Sequence, residues 1–147
     1  MIELVTDRTQ AHVDKLKELK AKGWENLADE EKALWYGEAA KGAYNYTDLN
    51  RVESAVAELA EDIGLELATK NDWNVWGLPT QADMTRYLDN VETIKNAVWG
   101  GVNLPPTPLN ADGLTYEDAN TIENILLTTR RRYEDSPRSG EIFCSEV

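Results

Sequence analysis

The sequence is poor in the residues that build metal centres and nucleophilic sites, with one cysteine, Cys144, and one histidine, His12. A lone cysteine cannot form an internal disulfide or a cysteine-based zinc site. A lone histidine needs ligands or catalytic partners from distant positions, so we assign His12 a structural role in a first helix. No serine lies in the strand–turn–helix context of a nucleophile elbow. These shortages predict a non-enzymatic chain that binds no metal and no cofactor.

The sequence is also short of positive charge and of long apolar runs. Its 15 Lys and Arg residues face 27 Asp and Glu residues, for a net charge of −12. Phosphate backbones are bound through lysine and arginine, so this balance argues against nucleic acid as a partner. No apolar run approaches the roughly 18 residues of a spanning helix, so we expect no membrane partner. The lysines of residues 15–22 and the arginines of residues 130–132 fall in the last turns of predicted helices, where cations complement the helix dipole.

Three helix starts recur every 35 residues along the chain. Each places an N-cap residue three positions before an aspartate: Asn45 and Asp48, Thr80 and Asp83, Thr115 and Asp118. The cap oxygen accepts an N–H of the first turn, while the aspartate accepts the N–H of the cap residue, as in an acidic capping box. The pattern therefore predicts helices that begin near residues 46, 81 and 116.

The similarity extends past the caps in the first and third copies. These copies match at five positions 70 residues apart: Tyr46 and Tyr116, Asp48 and Asp118, Asn50 and Asn120, Val52 and Ile122, Glu53 and Glu123. The middle copy keeps Asp83, Arg86 opposite Arg51, and Val91 opposite Val56. Because the match covers only the caps and first turns, it favours duplicated helices in one compact bundle over an open solenoid.

Apolar periodicity predicts five helices. They run from a cap at Asp7 to Gly23, over residues 29–36, over residues 46–63, from Thr80 to the glycines at 100–101, and over residues 116–133. The third has the strongest apolar stripe, and we expect its opposite face, with Arg51 and Glu53, to meet solvent. The predicted fold class is all-α, a compact bundle of about five helices with an extended C-terminal tail. The first, third, fourth and fifth helices are expected to form the core.

The segments between helices predict the domain organisation. Residues 65–70 alternate weakly and fit a short strand or a loop equally well, while three prolines make residues 102–113 a semi-rigid connector. We place one helical domain at residues 1–138 and an extended tail at residues 139–147. A lone strand is unstable, so we expect Ile142 and Phe143 to pair with another chain or another copy.

Aromatic usage is uneven, with five tryptophans and one phenylalanine. Trp73, Trp76 and Trp99 lie outside the predicted apolar stripes. Large rings of this kind fill gaps between helix ends, anchor protein interfaces or stack on sugars, and all three roles stay open here. The candidate interface residues are therefore these three tryptophans together with Ile142 and Phe143.

Several sequence blocks follow one another in a recognisable order. They are Asp7-Arg8-Thr9-Gln10-Ala11, Lys22-Gly23-Trp24, Tyr44-Asn45-Tyr46-Thr47-Asp48-Leu49-Asn50-Arg51-Val52-Glu53, Leu114-Thr115-Tyr116-Glu117-Asp118-Ala119-Asn120 and Ser139-Gly140-Glu141-Ile142-Phe143. In this order and at about these spacings they resemble a module of tail or other minor structural proteins of phages and prophages from Gram-positive, clostridia-like bacteria. The third block is the most specific one.

The resemblance implies a virion protein of the phage tail that is assembled in the bacterial cytoplasm. Its partners would be other virion or tail proteins, or further copies of the chain as a homo-oligomer. The resemblance implies no binding chemistry, so no functional residue is carried over from it. We expect a non-enzymatic, tail-associated structural or interaction module. The alternative is a carbohydrate or cell-wall binding module that uses tryptophan, and a small hydrolase ranks third.

Overall fold

The computed structural model describes residues 2–109 and 113–136, and within these ranges the regular secondary structure is helical, with no strand. Five α-helices follow one another as α1 (Gln10–Lys22), α2 (Asp29–Tyr36), α3 (Tyr46–Ile63), α4 (Gln81–Ala97) and α5 (Tyr116–Asp135). Short 3₁₀ turns cover Trp24–Asn26, Glu38–Gly42 and Trp99–Gly101. The all-α prediction is confirmed, whereas the predicted tail at residues 139–147, with Ile142 and Phe143, lies outside the described residues.

The three repeated caps form as predicted. In α4, the Thr80 N–H donates to Asp83 Oδ2 at 2.8 Å, and the Asp83 N–H donates to Thr80 Oγ1 at 3.1 Å. Thr115 and Asp118 repeat this reciprocal pair at α5, at 3.0 and 3.1 Å. At α3, the Asn45 side chain instead accepts the second N–H of the helix, at 2.8 Å. The repeated caps therefore set the first residue of all three long helices.

The start of α1 corrects the sequence prediction by two residues. Thr9, not Asp7, is the N-cap, and its N–H donates to Nδ1 of His12 at 3.0 Å. Asp7 lies before the helix and accepts from Lys41 Nζ at 2.9 Å. The difference arises because residues 2–8 run along α5 instead of joining α1.

The main hydrophobic core lies between α3, α4 and α5. Its fully buried centre contains Val52, Val91, Ile94, Ile122, Ile125 and Leu126. The predicted contribution of α1 to this core is wrong. Apolar residues of α1 instead form a second, smaller cluster in which Leu16 and Leu19 pack against Leu27 and Ala39.

A close backbone contact holds this second cluster together. The 3₁₀ turn Glu38–Gly42 crosses α1 so closely that a Cβ atom on Gly42 would lie 2.3 Å from the His12 carbonyl oxygen. Only glycine allows this approach, because any side chain would overlap the backbone of α1. Residues 9–43 are thus packed largely among themselves.

Three non-helical segments lie beside the long helices. We call residues 2–8 the N-terminal segment, residues 65–73 the middle segment and residues 102–109 the proline segment. Residues 65–70 form no strand in the described structure, which decides between the two predicted alternatives. None of the described helices combines the length and the apolar character required to cross a membrane.

Candidate functional site

An asparagine and a glutamate one turn apart on α3 hold the middle segment. Asn50 Nδ2 donates to the Trp73 carbonyl at 2.9 Å, and the Trp73 N–H donates back to Asn50 Oδ1 at 2.8 Å. Glu53 Oε1 accepts the Lys70 N–H at 3.1 Å, while Oε2 accepts the Trp73 indole N–H at 2.9 Å. The spacing of three residues puts both acceptors on one helix face. We call this pair the Asn50–Glu53 clamp.

The recurring pair on α5 holds the N-terminal segment in the same way. Asn120 exchanges two hydrogen bonds with the backbone of Arg8, at 3.1 and 2.9 Å. Glu123 Oε1 accepts the Val5 N–H at 2.9 Å, and Oε2 accepts from the Arg8 guanidinium at 2.6 Å. Val5 and Arg8 thus occupy the places that Lys70 and Trp73 occupy on α3. We call this second pair the Asn120–Glu123 clamp.

Each clamp glutamate also binds an arginine from a neighbouring helix. Arg86 of α4 donates to both oxygens of Glu53, at 2.6 and 2.8 Å. Arg51 of α3 donates to both oxygens of Glu123, at 2.7 and 2.8 Å. These two arginines are themselves equivalent in the 35-residue repeat. The repeated residues therefore connect the three helices in order, from α5 to α3 and from α3 to α4.

Burial of Glu53 corrects the expectation that it faces solvent. Its side chain is as inaccessible as that of Glu123, although it lies on the polar face of α3. A buried carboxylate requires an opposite charge and hydrogen bonds to offset its lost hydration. Backbone donors from the middle segment and the arginine from α4 supply both, and neither partner is adjacent in sequence.

The middle copy has lost both halves of the clamp together. Thr85 and Leu88 stand on α4 where the other copies have asparagine and glutamate. Pro105 and Pro108 stand in the proline segment where the other copies have their N–H donors. Proline has no backbone N–H, so acceptors on α4 would have no donor to bind. The absence of acceptors on α4 therefore goes together with the absence of N–H donors in the proline segment.

The proline segment reaches α4 by different contacts. Lys95 Nζ donates to the Pro105 carbonyl at 2.9 Å, and Thr107 Oγ1 donates to Glu92 at 2.8 Å. Leu88 and Pro108 line one shallow surface pocket beside these bonds. All three copies therefore pair a helix with a non-helical segment, and only the first and third use the clamp.

Charges around Arg8 neutralise one another. Besides Glu123, the buried Arg8 guanidinium donates to Asp48 Oδ1 at 3.0 Å, and Asp48 also binds Arg51. The Arg8 guanidinium lies 5.6 Å from the ring centre of Tyr44, within cation–π range. Two carboxylates thus face two guanidinium groups. The arrangement links α3, α5 and the N-terminal segment, and it leaves neither carboxylate unpaired to act as a base.

Two tyrosine hydroxyls meet beside this charge cluster. The hydroxyl of Tyr44 forms a hydrogen bond with that of Tyr87 on α4. Burial raises the pKa of both tyrosines well above the ordinary value of 10.0. Both hydroxyls therefore stay protonated in the folded chain at physiological pH. Among the described residues there is also no group of three or more side chains suited to hold a metal ion.

A loop with exposed apolar side chains directly follows the middle segment. Residues 74–78, here called the Trp76 loop, expose 92% of Trp76 and 87% of Leu78. Asn74 shapes the turn, because its Oδ1 accepts the Trp76 N–H at 2.9 Å and its carbonyl accepts the Gly77 N–H at 3.3 Å. The clamped Trp73 precedes this loop and the Thr80 cap follows it. The exposed Trp76 ring and Leu78 side chain thus belong to a loop with both ends anchored.

The other candidate interface residues have different environments. Trp73 is only 7% exposed and belongs to the main core, so the structure shows for it the packing role, which is one of the three roles that the sequence left open. Trp99 is 58% exposed, but its indole N–H donates to Ser136 Oγ at 2.9 Å and Arg132 lies over its ring. Ile142 and Phe143 lie outside the described residues. Among the three candidate tryptophans, Trp76 is therefore the one with the most exposed side chain.

The two clamps were not foreseen from the sequence. Their signal was present, because Asn50 and Glu53 recur as Asn120 and Glu123 while the middle copy lacks both. The donors of the Asn120–Glu123 clamp could not be paired with it from the sequence, since Val5 and Arg8 lie more than a hundred residues away.

No protein-family model, curated protein or solved structure matches the chain.

Proposed function

We propose that the chain is a non-enzymatic structural and interaction module of a phage tail, assembled in the bacterial cytoplasm and carried in the virion. The observation that carries this proposal is the exposed Trp76 loop. Tryptophan is a frequent energetic anchor of protein interfaces, and exposed apolar patches mark interaction sites. The sequence resemblance to tail and minor structural proteins supplies the context, with virion or tail proteins as partners.

Anchoring of the Trp76 loop supports an interface role. The clamped Trp73 and the capped start of α4 hold the loop ends, so little conformational entropy is lost when a partner covers Trp76 and Leu78. The buried charges support the non-enzymatic part of the proposal. Arg8 binds Asp48 and Glu123, and these contacts join segments of the chain, which is a structural role.

The proposal is tested by binding to purified tails of the phage or prophage that encodes the chain. Trp76→Ala should weaken binding roughly tenfold or more, because truncating an anchor of this kind costs about 2 kcal/mol. Leu109→Ala is the matched control, since Leu109 is an equally exposed apolar residue, at 96%, on a different segment. Equal binding of wild type and Trp76→Ala to the tails would contradict the proposal.

A carbohydrate or cell-wall binding module is the second candidate, favoured by the same free indole. Sugar stacking on Trp76 would shift its fluorescence when wall polysaccharide is added, and Trp76→Ala would abolish the shift. Binding to tails without such a shift supports the structural module. A shift without tail binding supports the sugar-binding alternative.

A further inference from the structure

The first half of the middle segment has the side-chain alternation of an extended strand. Leu65 and Leu67 pack against the main core, whereas Glu66 between them is exposed. Ala68 is exposed as well, so neighbouring side chains face opposite ways, as they do along a strand. Residues 65–74 form neither helix nor turn, and they pair with no other strand of the described structure. This part of the chain is thus a single extended segment without a neighbour.

The edge of this segment that faces α4 is already hydrogen-bonded. The Ala68 carbonyl accepts from Arg86 at 2.9 Å and from Asn90 at 2.8 Å, and both donors belong to α4. Neighbouring residues of an extended chain direct their N–H and C=O groups to opposite edges, so those of Leu67 and Thr69 point away from α4. Within the described part of the chain, no hydrogen bond involves the backbone of either residue. We call these free groups of Leu67 and Thr69 the open edge.

A groove of about 500 Å³ lies beside the open edge. Ala57, Ala60 and Glu61 of α3 line it together with residues 65–68. The described residues of α4 do not line it, which places the groove on the side of the open edge. The two alanines leave room above α3 that larger side chains would fill. A further strand could therefore lie in the groove and bond to the open edge, as exposed strand edges allow.

The groove is bordered by carboxylates that have no cation of their own. Glu61 and Glu66 line it, and Glu58 lines an adjoining pocket with Glu61. Within the described residues, none of these three exposed side chains takes part in an ion pair or a hydrogen bond. Arg130 lines the adjoining pocket, but it donates to the Ile2 carbonyl. We call the three glutamates the acidic rim, and its charge favours a partner with lysine or arginine.

We propose that the open edge and its groove bind an extended, basic segment of a partner protein as an added β-strand. The backbone of that segment exchanges hydrogen bonds with Leu67 and Thr69. Its apolar side chains face Ala57 and Ala60, and its basic side chains face the acidic rim. In strand addition, the main-chain bonds supply affinity and the side-chain contacts supply sequence preference. This surface is separate from the Trp76 loop, so the proposal does not depend on the tail function.

A synthetic peptide with alternating lysine and valine, acetyl-Lys-Val-Lys-Val-Lys-Val-amide, can test the proposal on the full chain. Isothermal titration calorimetry should show one-to-one binding, roughly tenfold or more tighter than that of the peptide with glutamate in place of lysine. Hydrogen exchange followed by NMR should slow at the Leu67 and Thr69 amides when the lysine peptide is bound, because their N–H groups then gain acceptors.

Charge reversal at the acidic rim gives a second measurement. Glu61→Lys combined with Glu66→Lys should weaken binding of the lysine peptide roughly tenfold or more. Glu25→Lys combined with Glu30→Lys is the matched control, since it changes the net charge equally at two exposed carboxylates far from the groove in sequence. The control should bind within about twofold of the wild type. Equal weakening in both double variants would overturn the proposal, because net charge alone would then explain binding.

The exchange measurement separates strand addition from other outcomes. Absence of peptide binding, or binding that leaves exchange at Leu67 and Thr69 unchanged, would overturn the proposal. Slow exchange of these two amides in the chain without peptide would also overturn it, because residues of the chain itself or of a second copy would then occupy the open edge. Sedimentation of the free chain as a monomer or a dimer would identify which of these two occupants is present.

Discussion

Glu53 and Glu123 stand at equivalent positions of α3 and α5, and each buried carboxylate receives four hydrogen bonds from the same kinds of donor. Each accepts one backbone N–H, one side-chain donor of a non-helical segment and two N–H groups of an arginine from a neighbouring helix. A carboxylate offers about four acceptor sites, so both are saturated. This saturation explains how a helix face rich in charge is buried.

The first prediction compares the two glutamates. Glu123→Gln should lower the free energy of unfolding by about 3–5 kcal/mol, because it leaves the fully buried Arg8 and the half-buried Arg51 short of negative charge. Glu53→Gln should cost less, since the Arg86 side chain is partly exposed and water can hydrate it. Urea denaturation measures both values. Equal losses of unfolding free energy in the two variants would show that the solvent exposure of the partner arginine does not determine the loss.

The second prediction separates Trp73 from Trp76. Trp73→Ala removes a core side chain and should cost about 3–5 kcal/mol of stability. Trp76→Ala removes an exposed side chain and should change stability by about 0.5 kcal/mol or less. Thermal melts of the two variants would measure the difference. A large loss in Trp76→Ala would mean that this ring packs on the chain and is not free for a partner.

The third prediction concerns alkaline pH. Burial raises the pKa of Tyr44 and Tyr87 above the unfolded value of 10.0, so the unfolded chain releases these protons first. The contribution of these two tyrosines to stability should therefore be constant below about pH 10 and fall as the pH rises beyond it. Tyrosinate absorbance should show two of the six tyrosines titrating only as the chain unfolds. Tyr87→Phe should flatten the alkaline loss of stability.

The fourth prediction concerns acid pH and the α4 cap. Hydrogen bonds from the Thr80 backbone and hydroxyl hold the pKa of Asp83 below its ordinary value of 3.8. The stabilisation is present above pH 3.8 and is lost as the pH falls through the lowered pKa. Asp83→Asn should remove this acid-dependent part, as followed by helical circular dichroism against pH. Separately, Thr80→Ala should cost about 1 kcal/mol at neutral pH.

Much of the fold could be read from local pattern. The caps at Asn45, Thr80 and Thr115 depend on residues within one helical turn, so they form independently of tertiary contacts. The cap of α1 could not be read in this way. Asp7 has the right chemistry, but contacts of its neighbour Arg8 with α5 keep residues 2–8 out of the helix.

The sequence by itself determined the helix class, the first residues of α3, α4 and α5, and the recurrence of Asn50 and Glu53 as Asn120 and Glu123. These properties depend on neighbours three or four residues apart along one helix. Only the tertiary structure decided that both glutamates are buried, that Trp73 is a core residue, and that Val5 and Arg8 bind α5. A carboxylate or an indole can be buried only where other helices and segments supply hydrogen-bond partners. Spacing along the chain does not specify which residues those partners are.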